Sequence, residues 1–152
     1  MSKTTKIILS SSFIIAIAVL GSIFVNLGSS WFNTLTTPTK WIPNFIIPIV
    51  WTIIYLTFAI VNFLWIKNDN IPKRTIILMV INGILNVLWC LIFFTLNKLF
   101  LGNIFIILNL IAGFILINNI FKNKKVYSYF LLIYPIWLSI ATTLNLALWI
   151  LN

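Results

Sequence analysis

Histidine is absent from this chain, and Asp69 is its only acidic side chain. These two absences remove most enzyme chemistry at once. A Ser-His-Asp triad, a pair of catalytic carboxylates and a His/carboxylate metal centre have no residues to be built from, so no metal site is expected. Haem has no histidine to hold it. No carboxylate relay is available to move protons through a membrane. The single cysteine, Cys90, excludes an intrachain disulfide and reads as a small buried hydrophobe. Charged residues make up only 7% of the sequence, against about 25% in a soluble domain. The polar groups that would cover a water-facing surface are missing.

What is present is apolar. Hydrophobic residues are 62% of the 152, gathered into five runs at roughly 7–25, 44–66, 75–96, 99–121 and 126–150. Each is close to the ~20 residues that cross a hydrocarbon core about 30 Å thick. No strict alternation marks them as barrel strands. Lipid leaves helices as the other way to satisfy backbone N–H and C=O groups. The fold class is therefore all-α integral membrane, one domain over 1–152, with five transmembrane helices and a folded loop between the first two. The first run follows Lys3 and Lys6 and resembles a signal peptide, but it exceeds the usual signal core of about 7–15 residues. It is read as a retained helix.

The net charge is +9, yet the ten basic residues lie in short gaps between apolar runs and form no patch. They read as topology signals and headgroup contacts, with no nucleic-acid partner. Eight of them fall on the N-terminus and on the second and fourth loops. The positive-inside rule then sets the N-terminus in the cytoplasm and the C-terminus outside, in a multi-pass protein of the cell membrane.

The first loop carries Trp31, Phe32, Pro38, Trp41 and Pro43. It reads either as a headgroup-level aromatic belt or as a lid over one mouth of the bundle. Three helices gather rings and an amide on one face at steps of three or four. These are Trp51, Tyr55, Phe58 and Asn62; Asn82, Asn86, Trp89 and Phe93; and Tyr134, Trp137, Ala141 and Asn145. Asparagine facing lipid is costly, so these stripes should face inward. There they serve either as interhelical hydrogen-bonding glue or as the wall of a cavity for a flat apolar ligand.

From Trp31 to Asn152 the residues resemble the TspO/MBR family, also called translocator protein, peripheral-type benzodiazepine receptor or tryptophan-rich sensory protein. Trp137-Leu-Ser-Ile-Ala141-Thr142-Thr-Leu-Asn145 is similar to the family's W-x-x-x-A-T-x-L-N, and Trp149-x-x-Asn152 follows it. Asn86-x-x-Trp89 with Phe93-Phe94 is similar to N-x-x-W-x-x-x-F-F. Pro48-x-x-Trp51-x-x-x-Tyr55 is similar to P-x-x-W-x-x-x-Y. The loop departs from K-P-x-W-x-P-P: Thr37 replaces the lysine, Trp41 comes one place late and one proline is missing. Ile133 stands where the family often has a proline before the fifth-helix tryptophan, and Pro135 implies a displaced kink. Leu146 to Asn152 lacks the tyrosine and basic residue of the animal sterol motif.

The resemblance implies five helices around a ligand pocket closed by the first loop, in a homodimer. It implies a receptor or sensor for a flat hydrophobic ligand, with a porphyrin expected and no cofactor required. Carried over by motif, Trp51, Trp89 and Trp137 would stack on the ligand and Asn86 would orient it. Tyr55, Phe93, Ala141 and Asn145 would complete the wall. Trp31, Pro38, Trp41 and Pro43 would form the lid, and Lys40 would meet propionates at the mouth. In an alternative reading the porphyrin is a substrate, degraded under light and oxygen with Trp51 and Trp137 as the required indoles. A small-solute or porphyrin transporter and a structural membrane protein are further alternatives.

Overall fold

The computed structural model describes residues 2–38 and 42–152. Trp41 and Lys40 of the expected lid lie outside them. Among the described residues every regular element is helical: α1 (Lys3–Leu27), the short α2 (Ser29–Phe32), α3 (Ile46–Asn68), α4 (Lys73–Cys90), α5 (Leu99–Asn123), α6 (Lys125–Leu131) and α7 (Ile133–Leu151). Five spans result, because α4 runs on through a π-helical turn, Leu91–Thr95, and α6 and α7 form one bent crossing. Each span has at least 23 residues, or about 34 Å at 1.5 Å per residue, enough for the hydrocarbon core. The chain is a multi-pass membrane protein. Its outer face is a continuous apolar skin that includes Ile15, Leu56, Ile60, Ile107, Ile111 and Phe114, all exposed to the surrounding lipid.

Local sequence explains the ends and breaks. The Ser2 hydroxyl accepts the Thr5 N–H at 3.1 Å and caps α1. Pro72 precedes α4, where its missing N–H costs nothing. The tight turn into α5 places Asn97 at φ 57°, a left-handed conformation that asparagine tolerates. Pro135 has no N–H to offer Leu131 and crowds that carbonyl, so the last span breaks at Leu132 between α6 and α7. The bend thus follows this chain's own proline, two residues before Trp137.

The helices close into a ring. α1 packs on α3 and α4, α4 on α5, α5 on α7, and α3 returns to α6 and α7. Among the described residues the backbone of α3 does not approach α4 or α5. The consecutive spans α3 and α4 therefore stand across the bundle from each other, and a gap is left between them.

Three ties show which loops share an end. Lys3 Nζ donates to the Lys67 carbonyl at 2.9 Å, Lys6 Nζ donates to Asn70 Oδ1, and Lys124 pairs with Asp69 at 2.9 Å. The N-terminus, the α3–α4 loop and the α5–α6 junction therefore meet at one basic end. At the opposite end the Asn152 amide holds Thr36 through both its backbone groups, at 2.8 and 3.0 Å.

Candidate ligand cavity

The gap between α3 and α4 is a cavity of about 390 Å³. Its wall is mostly apolar, drawn from α1 (Phe13, Ile17), α3 (Trp51, Ile54, Tyr55, Phe58) and α4 (Met79, Val80, Gly83), with Leu116 and Tyr134 beyond. Asn62, Asn82 and Asn86 add amides to this lining. The volume falls in the range of about 300–1,000 Å³ that holds small molecules.

The stripes divide between this cavity and solid packing. Trp51, Tyr55 and Asn86 line it. The Trp51 and Tyr55 rings are stacked, with centroids 5.7 Å apart and planes at 28°. Asn86 Nδ2 donates to the Tyr55 hydroxyl at 3.0 Å. The amide oxygens of Asn62 and Asn86 are buried without a partner among the described residues. Asn62 Nδ2 donates to Ser10 Oγ at 2.9 Å and ties α3 to α1.

Trp89, Phe93, Ala141 and Asn145 lie above the cavity in a buried cluster with Phe94, Ile106 and Leu148. Trp89 Nε1 donates to Asn145 Oδ1 at 3.1 Å, joining α4 to α7. Asn145 Nδ2 returns to the Ala141 carbonyl at 2.9 Å. Trp137 sits in a neighbouring cluster with Ile54, Tyr134 and Leu138, and its indole N–H has no partner among the described residues. Trp51 packs against both clusters and lies 6.1 Å from Trp89, centroid to centroid. It is the hinge between packed rings and open cavity.

The π-helical turn explains the packed end. Its wider register turns Phe93 and Phe94 inward together, at 0% and 9% exposure. α2 rests on that surface. Trp31 meets Phe93 edge-on at 5.9 Å, and Phe32 meets Phe94 at 5.4 Å. Gly28 makes the approach possible, because a Cβ there would stand 2.1 Å from the Phe94 carbonyl oxygen. Of the expected lid, Trp31 plugs the aromatic cluster, Pro38 is half-buried, and exposed Pro43 accepts the Ile46 N–H at 2.9 Å.

Sequence reasoning left out α1 as a wall, and with it Lys6, Ser10 and Phe13. Its apolar residues run all round, and the only signal was the polar run Ser10-Ser11-Ser12. Asn103 and Asn109 of α5 were also left out. Asn109 Oδ1 lies 3.0 Å from the Tyr134 hydroxyl that donates to it. The small pair Ala112 and Gly113 works inside the bundle, since the Ala112 carbonyl accepts from Asn82 at 3.1 Å and Gly113 faces Leu138 and Tyr134. Among the described residues no cluster of metal-ligating side chains forms.

Comparison with known proteins fits this architecture. The family model described as "TspO/MBR family" matches residues 10–150. A "Tryptophan-rich protein TspO" of Archaeoglobus fulgidus is 32% identical over an alignment of 154 positions, covering 97% of each chain. A protein of the same name from Chlorobaculum tepidum is 28% identical, covering 91% of this chain and 90% of its own. "Protein CrtK" of Rhodobacter capsulatus is 25% identical, covering 81% and 79% respectively. With a matched family model over nearly all of its length and a relative of this identity, the chain belongs to the TspO/MBR family.

Proposed function

We propose that the protein is a receptor of the cell membrane for a flat hydrophobic ligand, most simply a porphyrin, bound in the cavity between α1, α3 and α4. One observation carries the reading. A ring-lined, mostly apolar space of about 390 Å³ is kept open directly beside a cluster of solidly packed rings. Packing alone does not account for it, since small residues bring membrane helices together more closely than tryptophan does. A planar apolar ring would stack on Trp51, and Asn86, held by Tyr55, would orient it. The test is a dark titration of the detergent-purified protein with protoporphyrin IX, read by tryptophan fluorescence. Saturable quenching that weakens at least threefold in Trp51→Phe supports the site. Affinity within twofold of wild type in the Trp51→Phe/Trp137→Phe double variant removes it.

The second reading, light- and oxygen-dependent porphyrin breakdown, is favoured by the position of Trp51. Its indole lies on the cavity wall and continues into Trp89 and Phe93 at centroid spacings of 6.1 and 6.2 Å. An excited ring would thus find an electron donor in contact. Bleaching of bound porphyrin under light, beyond that of a detergent control, would add enzyme to receptor. Homodimerisation and a cytoplasmic N-terminus belong to the same proposal. The family resemblance supports the first and the eight clustered basic residues the second.

A further inference from the structure

The cavity has two unlike ends. Toward the first loop it stops at Trp51, behind which Trp89, Phe93, Phe94, Trp31 and Phe32 are packed ring against ring. Toward the basic end its lining continues through Leu9 and Ile76, both exposed, to half-buried Lys6 and Ile71. Between Lys6 and Ile17 the wall extends about 16 Å along α1, roughly half the hydrocarbon thickness. The helices that frame it are pinned together further in. At Gly83 an added Cβ would lie 2.9 Å from Phe13 Cζ and 3.1 Å from Ile17, so α1 and α4 touch there. Between that contact and the basic end the lining comes from Lys6, Leu9 and Ser10 on one side and Ile71, Ile76 and Met79 on the other.

We infer that the cavity takes its ligand from the basic face as an amphiphilic carboxylate, with the acid group held at Lys6 and the apolar body directed toward Trp51. This rests on the receptor reading above and adds the ligand's charge, orientation and route. Among the described residues Lys6 is the one charged side chain in the cavity lining. Its stem lies along an apolar wall and its ammonium reaches the mouth, the usual posture of lysine at a membrane interface. The partner it has is the neutral amide oxygen of Asn70. A carboxylate is a stronger acceptor than a neutral amide oxygen and would displace it, because it adds the attraction of opposite charges to the same hydrogen bond. No protein carboxylate competes. Asp69 is the only acidic side chain, and it is paired with Lys124. Lys3, Lys67, Lys73 and Arg74 surround the same end and add a positive field that attracts anions. The two propionates of a porphyrin meet this requirement, and its macrocycle meets the rest of the wall.

The experiment compares protoporphyrin IX with its dimethyl ester, the same ring without charge. Both are titrated in neutral detergent against wild type, Lys6→Gln and Lys6→Arg. The diacid should bind wild type about two- to fivefold more tightly than the diester, the range of a half-exposed ion pair. Lys6→Gln should erase that difference, while Lys6→Arg should keep it. Equal affinities for diacid and diester in wild type, or a difference that survives in Lys6→Gln, overturn this inference and leave the porphyrin receptor standing. Failure of both compounds to bind saturably overturns the receptor reading and this inference together.

Discussion

Adding one methyl group at Gly28 should be among the most damaging small changes available in this protein. Gly28 joins α1 to α2, and its absent side chain lets the junction lie against the π-helical turn. A Cβ would stand 2.1 Å from the Phe94 oxygen and 2.4 Å from its carbonyl carbon. Ordinary contact begins near 3.4 Å, so the junction must retreat by more than 1 Å. The obstacle is backbone and has no rotamer by which to yield. The retreat would lift Trp31 and Phe32 from Phe93 and Phe94. Overpacking of this kind costs about 1–3 kcal/mol, a loss of roughly 5 °C in melting temperature for a domain of this size. Gly21→Ala is the matched control. Its Cβ would meet Cys90 Sγ at 3.6 Å and the Tyr55 hydroxyl at 3.8 Å, ordinary contact, and alanine favours a helix by about 0.5–1 kcal/mol over glycine. The assay is built in. Cys90 is the one cysteine and is buried, so a thiol-reactive fluorogenic dye reports unfolding during a thermal ramp. Gly28→Ala should melt early and Gly21→Ala at or above wild type. A Gly28→Ala melting point within about 1 °C of wild type, or an equal loss in Gly21→Ala, would refute the account of the α2 seat.

Other outcomes follow from the same geometry. Trp137→Phe alone should change porphyrin affinity less than about threefold, because its indole packs beside Ile54 and Leu138 away from the cavity, whereas Trp51→Ala should cost about tenfold through lost stacking. Asn152→Ala removes both bonds to Thr36. Faster backbone hydrogen exchange over residues 33–38 with an unchanged helical core is the expected result. Acid stability should report on one side chain. The Lys124 ammonium and the Asn70 N–H hold the Asp69 carboxyl below its usual range. Its contribution is therefore present above the unfolded-state pKa and fades as pH falls through the lower folded-state value. Melting points of wild type and Asp69→Asn should converge through that acid window and differ at neutral pH. A constant gap between them would place the effect elsewhere.

Part of this protein follows from composition alone. Hydrophobic runs long enough to cross a bilayer, nearly free of charge, have one outcome in lipid, because an unsatisfied backbone cannot lie there. The five spans and the inward stripes could therefore be read directly, and the gathering of eight basic residues at one end agrees with the ties among Lys3, Lys67, Asp69 and Lys124. Pro135 marked the bend in the last span, since a missing N–H is a local property.

The site was legible only in part, for reasons that are not local. Periodicity names a face but not what stands opposite. Trp51 and Trp89 carry the same signal, yet one lines open space and the other is packed solid and bonded to Asn145. That difference is set by the distance between α3 and α4, which the order of helices around the ring decides. The π-helical turn that brings Phe93 and Phe94 inward together depends on what they pack against, Gly102 and Trp31 among them. α1 carries little facial signal beyond Ser10-Ser11-Ser12, because lipid and cavity are both apolar and ask for the same residues on every side of it. The sequence by itself determined that the chain spans a membrane, how many times, and which amides must hide. The tertiary structure alone decided where the hidden rings close up, where they leave room, and that Lys6 stands in the wall of that room.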